Sequence, residues 1–263
     1  MLTYPLSFYI FAFVLGAVVG SFLNVCICRL PRDESIVSPP SHCPKCGFRI
    51  PFYDNIPILS YLLLAGKCRS CRASISFQYP LVELINALLA LFLFIRFGPT
   101  LGFAVLFVFC SAMVVITFID LEHQIIPDVI SLPGIIFGFI ASFFIPQLGW
   151  LNSLIGIAVG GGSLLLVAYG YQLIAKKEGM GGGDIKLLAM MGAFFGWKAV
   201  LFIIFASSLI GSVIGIALML IRNEDSKLAI PFGPFLAFAA IIYIFFGGRV
   251  IHWYLSLGGG PGA

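Results

Sequence analysis

The sequence predicts an all-α polytopic membrane protein with about eight transmembrane helices and a small zinc-binding cytoplasmic insertion between helices 1 and 2. Of its 263 residues, 60% are hydrophobic and only 10% are charged, which lies well outside the range of soluble globular domains. Apolar runs long enough to cross roughly 30 Å of hydrocarbon recur along the chain. One polar stretch interrupts them early, and it holds four cysteines in two C-x-x-C pairs.

The first apolar segment covers residues 6–28. No Lys or Arg precedes it, whereas Arg29 and Arg32 follow it. A cleavable signal peptide carries its positive charge before the apolar run, so this segment is expected to be a retained helix. Its flanking charge predicts a periplasmic N-terminus and a C-terminal end in the cytoplasm.

Seven further apolar segments follow, and the fifth of these is short enough to be re-entrant or only partly spanning. They cover residues 80–97, 100–119, 129–146, 150–175, 185–196, 199–221 and 229–247. We therefore expect four regions: transmembrane helix 1 (1–29), a cytoplasmic zinc-knuckle domain (30–79), a catalytic helix bundle (80–257) and an added glycine-rich tail (258–263).

The positive charges support this topology. The polar region 30–79, the loops 120–128, 176–184 and 222–228, and their edges together hold 12 of the 15 Lys and Arg residues. Cytoplasmic loops carry such an excess, so these loops are expected to share the cytoplasmic side. The net charge of +4 reflects topology, and no nucleic-acid-binding motif accompanies it.

The two cysteine pairs predict a structural zinc site. Cys43 and Cys46 form the first pair, Cys68 and Cys71 form the second, and 21 residues separate them. Four thiolates suit a closed tetrahedral Zn²⁺ site, which leaves no open position for catalysis. Disulfides or free thiols are the alternative, but the reducing cytoplasm disfavours disulfides. The remaining cysteines lie in apolar helices and are interpreted as buried small side chains: Cys26, Cys28 and Cys110.

Two aspartates are the candidate catalytic residues. Asp184 follows Gly181, Gly182 and Gly183, which allow another backbone to approach closely. An acidic residue at membrane depth is a functional hypothesis by default, and Asp120 is the partner expected at the same depth. The alternative for Asp184 is an N-terminal helix cap, an interpretation that applies equally to Asp128. Lys186 is expected among anionic lipid headgroups.

Paired carboxylates can activate water as in an aspartic protease, because their proximity drives their pKa values apart. Asp184 begins a predicted helix, where the helix dipole favours the anion, and Asp120 ends one, where it favours the neutral acid. The sequence therefore suggests Asp184 as the base and Asp120 as the acid.

The motifs resemble the type IV prepilin peptidases, bacterial inner-membrane aspartic proteases of the GxGD class. The resemblance covers most of the chain. It rests on Gly20–Val25 with Arg29–Pro31, the paired cysteine knuckles, Asn55–Pro57, Tyr79–Glu83, Asp120–Asp128 and Gly181–Leu187.

The resemblance implies that Asp120 and Asp184 are catalytic, that Gly181, Gly182 and Gly183 form an active-site loop, and that the four cysteines bind zinc. It also implies cleavage of a basic leader from type IV prepilins or pseudopilins, after a glycine at the cytoplasmic membrane face. S-adenosylmethionine-dependent N-methylation of the new N-terminus is implied as well. No glycine-rich signature for that cofactor is evident, so its binding residues stay unassigned.

Two other functions fit parts of the pattern. Paired intramembrane carboxylates and a short, glycine-interrupted helix also occur in proton- or cation-coupled transporters. The second alternative is a zinc-bearing membrane scaffold whose aspartates only cap helices. The oligomeric state and the individual pilin substrates do not follow from the sequence.

Overall fold

The computed structural model describes residues 4–145, 148–176, 181–222 and 230–250. Within these ranges the regular structure is helical, apart from two isolated β-bridges. The predicted all-α fold is confirmed. The chain forms two compact units, residues 1–119 and 120–263.

The first unit contains the zinc-knuckle region and the helices around it. They are α1 (Leu6–Arg29), the short α2 (Leu59–Leu63), α3 (Gln78–Phe97) and most of α4 (Leu101–His123). Helix α1 packs along α3. A buried polar chain connects the helices: the Asn86 amide donates to Gly16 O at 2.8 Å, and the Ser111 hydroxyl donates to Asn86 Oδ1 at 3.0 Å. In an apolar interior such bonds fix the register of neighbouring helices.

The second unit begins with the last turn of α4. Its other helices are α5 (Asp128–Ser142), α6 (Trp150–Ala175), α7 (Gly182–Phe195), α8 (Trp197–Arg222) and α9 (Gly233–Ile242), which continues into a π-helical turn (Tyr243–Gly247). Helix α7 is the core of this unit, because every residue from 187 to 194 is buried. Helices α5 and α6 both pack against it.

Among the described residues, six helices are long and apolar enough to cross a membrane: α1, α3, α4, α6, α8 and α9 with its continuation to Val250. The sequence predicts about eight, and the difference lies in α5 and α7. These helices have 15 and 14 residues, or about 21–23 Å at 1.5 Å per residue. Helix α5 ends before its apolar run does, because the chain tightens where the Phe143 N–H bonds to Ile140 O. Helix α7 stops at Gly196, whose φ is +78°.

Pairs of glycines four residues apart set the closest helix contacts. A Cβ atom on Gly16 would lie 2.7 Å from Ala87 Cα, and one on Gly156 would overlap the carbonyl oxygen of Gly192. The same spacing recurs in Gly20, Gly134, Gly138 and Gly160, each of which faces α3 or α7. Small residues at this spacing let membrane helices approach backbone to backbone.

Candidate active site and metal centre

Asp120 lies in the last turn of α4 and is almost fully buried, with 5% of its surface exposed. The backbone N–H of Gly233 donates to its Oδ2 atom at 3.0 Å. Gly233 is the first residue of α9. The Asp120 carboxylate therefore accepts one of the N–H groups that a helix leaves unpaired at its N-terminus.

Asp184 lies in the first turn of α7, but it does not cap that helix. The helix begins at Gly182, Gly181 occupies the capping position, and no side chain bonds to the helix end there. The capping interpretation of Asp184 is therefore wrong.

The second unit brings the two aspartates together. The charge of Asp120 acts on the carboxyl group of Asp184. Ile126 packs between their segments: a Cβ on Gly183 would lie 2.9 Å from Ile126 Cβ, and one on Gly233 would lie 3.3 Å from Ile126 Cδ1. Three parts of the chain thus meet here: the end of α4, the start of α7 and the start of α9.

The three glycines before Asp184, residues 181–183, differ in how much space surrounds them. Gly183 must remain small because Ile126 packs against it. Around Gly181 and Gly182, by contrast, a Cβ would meet no atom of the described residues within 4 Å. These two residues therefore leave open space beside Asp184.

The contact with Gly233 changes the electrostatic comparison between the aspartates. The sequence places only Asp184 at a helix N-terminus, whereas the structure places Asp120 at the N-terminus of α9 as well. A donated N–H stabilises the charged form of a carboxylate. Both aspartates therefore lie at helix N-termini, and the dipole argument no longer distinguishes the base from the acid.

Asp128 and Lys186 form an ion pair, with Lys186 Nζ 2.7 Å from Asp128 Oδ2. Asp128 is the first residue of α5 and makes no capping bond, so its interpretation as a cap is wrong. The sequence analysis expects Lys186 among lipid headgroups. In the structure its ammonium group is paired with the Asp128 carboxylate. The pair joins the starts of α5 and α7.

The four predicted zinc ligands converge. The sulfur atoms of Cys43, Cys46, Cys68 and Cys71 all lie within 4.8 Å of one another. Both pairs sit in the same kind of turn: Cys43 N–H donates to Phe48 O and Gly47 N–H to Cys43 O, and the same two bonds recur around Cys68. This arrangement fits a closed site for one metal ion.

Electrostatics around the sulfurs also favour a cation. Backbone N–H groups of Cys46 and Lys45 lower the pKa of the Cys43 thiol to about 6. At Cys71 the Ala73 N–H lowers the pKa, but burial and the neighbouring thiols outweigh it and raise the value to about 11. Four crowded sulfurs cannot all be thiolates without a positive ion between them. The residues therefore fit Zn²⁺.

Sequence comparisons identify the chain's relatives. The bacterial peptidase A24 N-terminal domain matches residues 14–97, and the type IV leader peptidase family matches residues 107–216. A prepilin leader peptidase/N-methyltransferase of Pseudomonas aeruginosa is 38% identical over 98% of this chain and 97% of its own length. The chain belongs to the type IV leader peptidase family.

Other relatives of this family agree. A protein of the same name from Aeromonas hydrophila is 38% identical over 96% of this chain and 95% of its own length. One from Myxococcus xanthus is 43% identical over 81% of this chain and 64% of its own length. No solved structure matches the chain significantly. The transporter alternative finds no support among these relatives.

Sequence reasoning missed Gly233. Its signal was present, because a Gly-Pro pair lies near the start of the last apolar segment, on the side assigned to both aspartates. Proline is common in the first turn of a helix. The pair therefore marked a helix start, but nothing in it indicated which side chain would receive the Gly233 N–H.

Proposed function

We propose that this chain is a membrane aspartic peptidase that removes the leader of type IV prepilins and pseudopilins, and then N-methylates the new N-terminus. The observation that carries the peptidase is the meeting of Asp120 and Asp184, from separate helices, in one site. Its relatives are named for both activities. The chain is accordingly an enzyme of the bacterial inner membrane.

In the proposed cleavage, Asp120 is the base and Asp184 the acid. The Gly233 N–H supports a negative charge on Asp120, which then takes a proton from the attacking water. Protonated Asp184 donates to the carbonyl oxygen of the scissile bond. Infrared difference spectra of the two single Asp→Asn variants test these roles. The protonated-carboxyl band should vanish in Asp184→Asn, and its loss in Asp120→Asn would reverse the assignment.

The proposed substrate geometry follows from charge. A basic leader stays on the cytoplasmic side while the apolar pilin helix stays in the bilayer. This holds the scissile bond near the cytoplasmic face, where we place both aspartates. The open space beside Gly181 and Gly182 suits an unwound peptide backbone.

The two cofactors have separate roles. We assign Cys43, Cys46, Cys68 and Cys71 to a structural Zn²⁺ that holds the two knuckles together. S-adenosylmethionine supplies the methyl group for the second activity. The bidentate ion pair between Arg69 and Asp54, with N–O distances of 2.6 and 2.7 Å, attaches the second knuckle to the preceding loop.

The decisive test uses Asn substitutions, which keep the shape of Asp but cannot act as carboxylates. Purified Asp120→Asn and Asp184→Asn variants are mixed with a prepilin, and the cleaved product is measured. Both should lose cleavage. Asp128→Asn is the matched control, since its carboxylate is exposed and pairs with Lys186, and it should retain activity. Cleavage that survives in both catalytic variants would refute the mechanism.

A further inference from the structure

Methyl transfer needs a binding site that the aspartate pair does not supply. The first unit contains a cavity of about 530 Å³, a size typical of pockets for small organic ligands. Its walls come from the C-terminal half of α1, the zinc-knuckle region and the start of α3. All lining residues precede residue 84, so the cavity belongs to this unit alone.

A buried carboxylate lies in the wall of this cavity. Glu83 is 8% exposed, and its Oε2 accepts the Ile58 N–H at 2.6 Å. Its backbone is fixed as well, because a Cβ on Gly20 would lie 2.7 Å from Glu83 Cα. The cavity therefore presents a fixed acidic group, which favours a ligand that carries positive charge.

The backbone beside Glu83 is strained. Ile58 has a φ of +63°, a conformation that β-branched residues rarely adopt. Such strain persists where surrounding contacts determine the conformation, and it concentrates at ligand sites. Here the bond to Glu83 holds the Ile58 N–H in place. This bond thus holds the strained backbone of the cavity wall in one conformation.

Aromatic and hydrogen-bonding groups also line the cavity, together with further charged side chains of both signs and two of the predicted zinc ligands, Cys43 and Cys68. Phe48, Tyr61 and Tyr79 offer ring surfaces, which suit a planar heterocycle. The buried Asn24 amide donates to Tyr79 O at 3.0 Å. The Arg29 guanidinium lies at the same wall and donates to two backbone oxygens, those of Ser35 and Pro39.

We propose that this cavity binds S-adenosylmethionine. The inference rests on the proposed methyltransferase function and assigns that function its site. The donor combines a planar base with a sulfonium and an ammonium group, and the cavity combines aromatic rings with the Glu83 carboxylate.

Glu83 is also suited to the transfer itself. The new N-terminal ammonium passes one proton to the Glu83 carboxylate, and the freed lone pair on nitrogen forms a bond to the methyl carbon. The bond between that carbon and sulfur breaks, and its electron pair stays on sulfur. The products would be a protonated Glu83 carboxyl group, a methylated ammonium at the N-terminus and a neutral thioether, so atoms and charges balance.

Binding is measured directly with the full-length zinc-loaded chain in detergent. In isothermal titration calorimetry with S-adenosylmethionine, Glu83→Gln should weaken affinity by about tenfold, the range for loss of a charged contact. The Gln oxygen can still accept the Ile58 N–H, so the fold should persist. Asp33→Asn is the matched control, because it removes the same charge from the same unit outside the cavity lining.

Cys28 supplies a second readout. The interpretation of Cys28 as a buried side chain is wrong, because its thiol is exposed and lines the cavity. Bound S-adenosylmethionine should therefore slow its alkylation by N-ethylmaleimide, measured by mass spectrometry of the Cys28 peptide. Prepilin cleavage should be unchanged in the Asp33→Asn control. Normal affinity in Glu83→Gln together with an unprotected Cys28 would overturn the cavity assignment while leaving the methyltransferase intact. Absence of both donor binding and methyl transfer in the unmodified chain would overturn both.

Discussion

Asp120 shows which properties of a functional residue can be predicted from the sequence and which cannot. Its location near the end of an apolar segment was enough to predict a functional carboxylate, and the same holds for Asp184. The donor to Asp120 could not be predicted, because it is the backbone N–H of Gly233 and every residue except proline carries one. The proposed assignment of Asp120 as the base depends on this N–H donor.

Gly233 should be a positioning residue for Asp120. A Cβ added there would lie 2.5 Å from Asp120 Oδ2, so Gly233→Ala must displace the carboxylate. Because small misplacements of a reacting group are costly, kcat for prepilin cleavage should fall by about 10- to 100-fold with little change in KM. Steady-state kinetics with purified enzyme measure both.

Gly248→Ala is the matched control for that experiment. It makes the same substitution further along the helical segment that α9 begins, where a Cβ meets nothing within 4 Å. Its kcat should equal that of the unmodified enzyme. An unchanged kcat in Gly233→Ala would show that the contact does not position Asp120.

For the helices, the hydrophobicity of the sequence predicts where each helix lies along the chain better than it predicts which other helices it packs against. The eight apolar segments correspond to α1 and α3 through α9, because long apolar runs leave few alternatives in a membrane. Pairing depends on where small residues fall. The repeated glycine spacing carried that information, but composition and charge did not show which helix each pair would face.

The α6–α7 contact should depend on Gly156. A side chain there would overlap the Gly192 carbonyl, and overpacking of this kind costs about 1–3 kcal/mol. Gly156→Ala should therefore lower the thermal unfolding midpoint of the detergent-solubilised protein. Gly162→Ala in the same helix meets nothing within 4 Å and should leave that midpoint unchanged or raise it. Equal midpoints in the two variants would contradict the close packing.

The zinc-knuckle region should lose its metal when half of the ligands are removed. Purified protein is expected to contain about one Zn²⁺ per chain, since four thiolates complete one tetrahedral site. The double variant Cys43→Ser, Cys46→Ser should contain none by elemental analysis. Cys28→Ser is the control, because this thiol lies outside the cluster, and it should keep its zinc. Well-folded unmodified protein with substoichiometric metal would refute the site.

For the whole molecule, the position of the candidate active site constrains the number of membrane crossings more strongly than the helix lengths do. Asp120 ends α4 and Asp184 begins α7, and the two interact. Helices α5 and α6 lie between them, and α6 is a candidate span. The aspartates can share one side only if α5 crosses too. Gly233, which contacts Asp120, follows the candidate span α8 in the chain. It can lie on the same side of the membrane as Asp184 only if α7 crosses as well.

We therefore expect eight crossings, although only six described helices reach the usual length. A short helix can cross when protein surrounds its ends or the bilayer thins locally, and α7 is buried among its neighbours. Single cysteines at Glu122 and Gly181 should react with an impermeant maleimide only after the inner membrane of spheroplasts is permeabilised. Cysteines at Pro99 and Leu148 should react without permeabilisation. If Glu122→Cys and Gly181→Cys label from opposite sides, the aspartates cannot form one site and the peptidase mechanism fails.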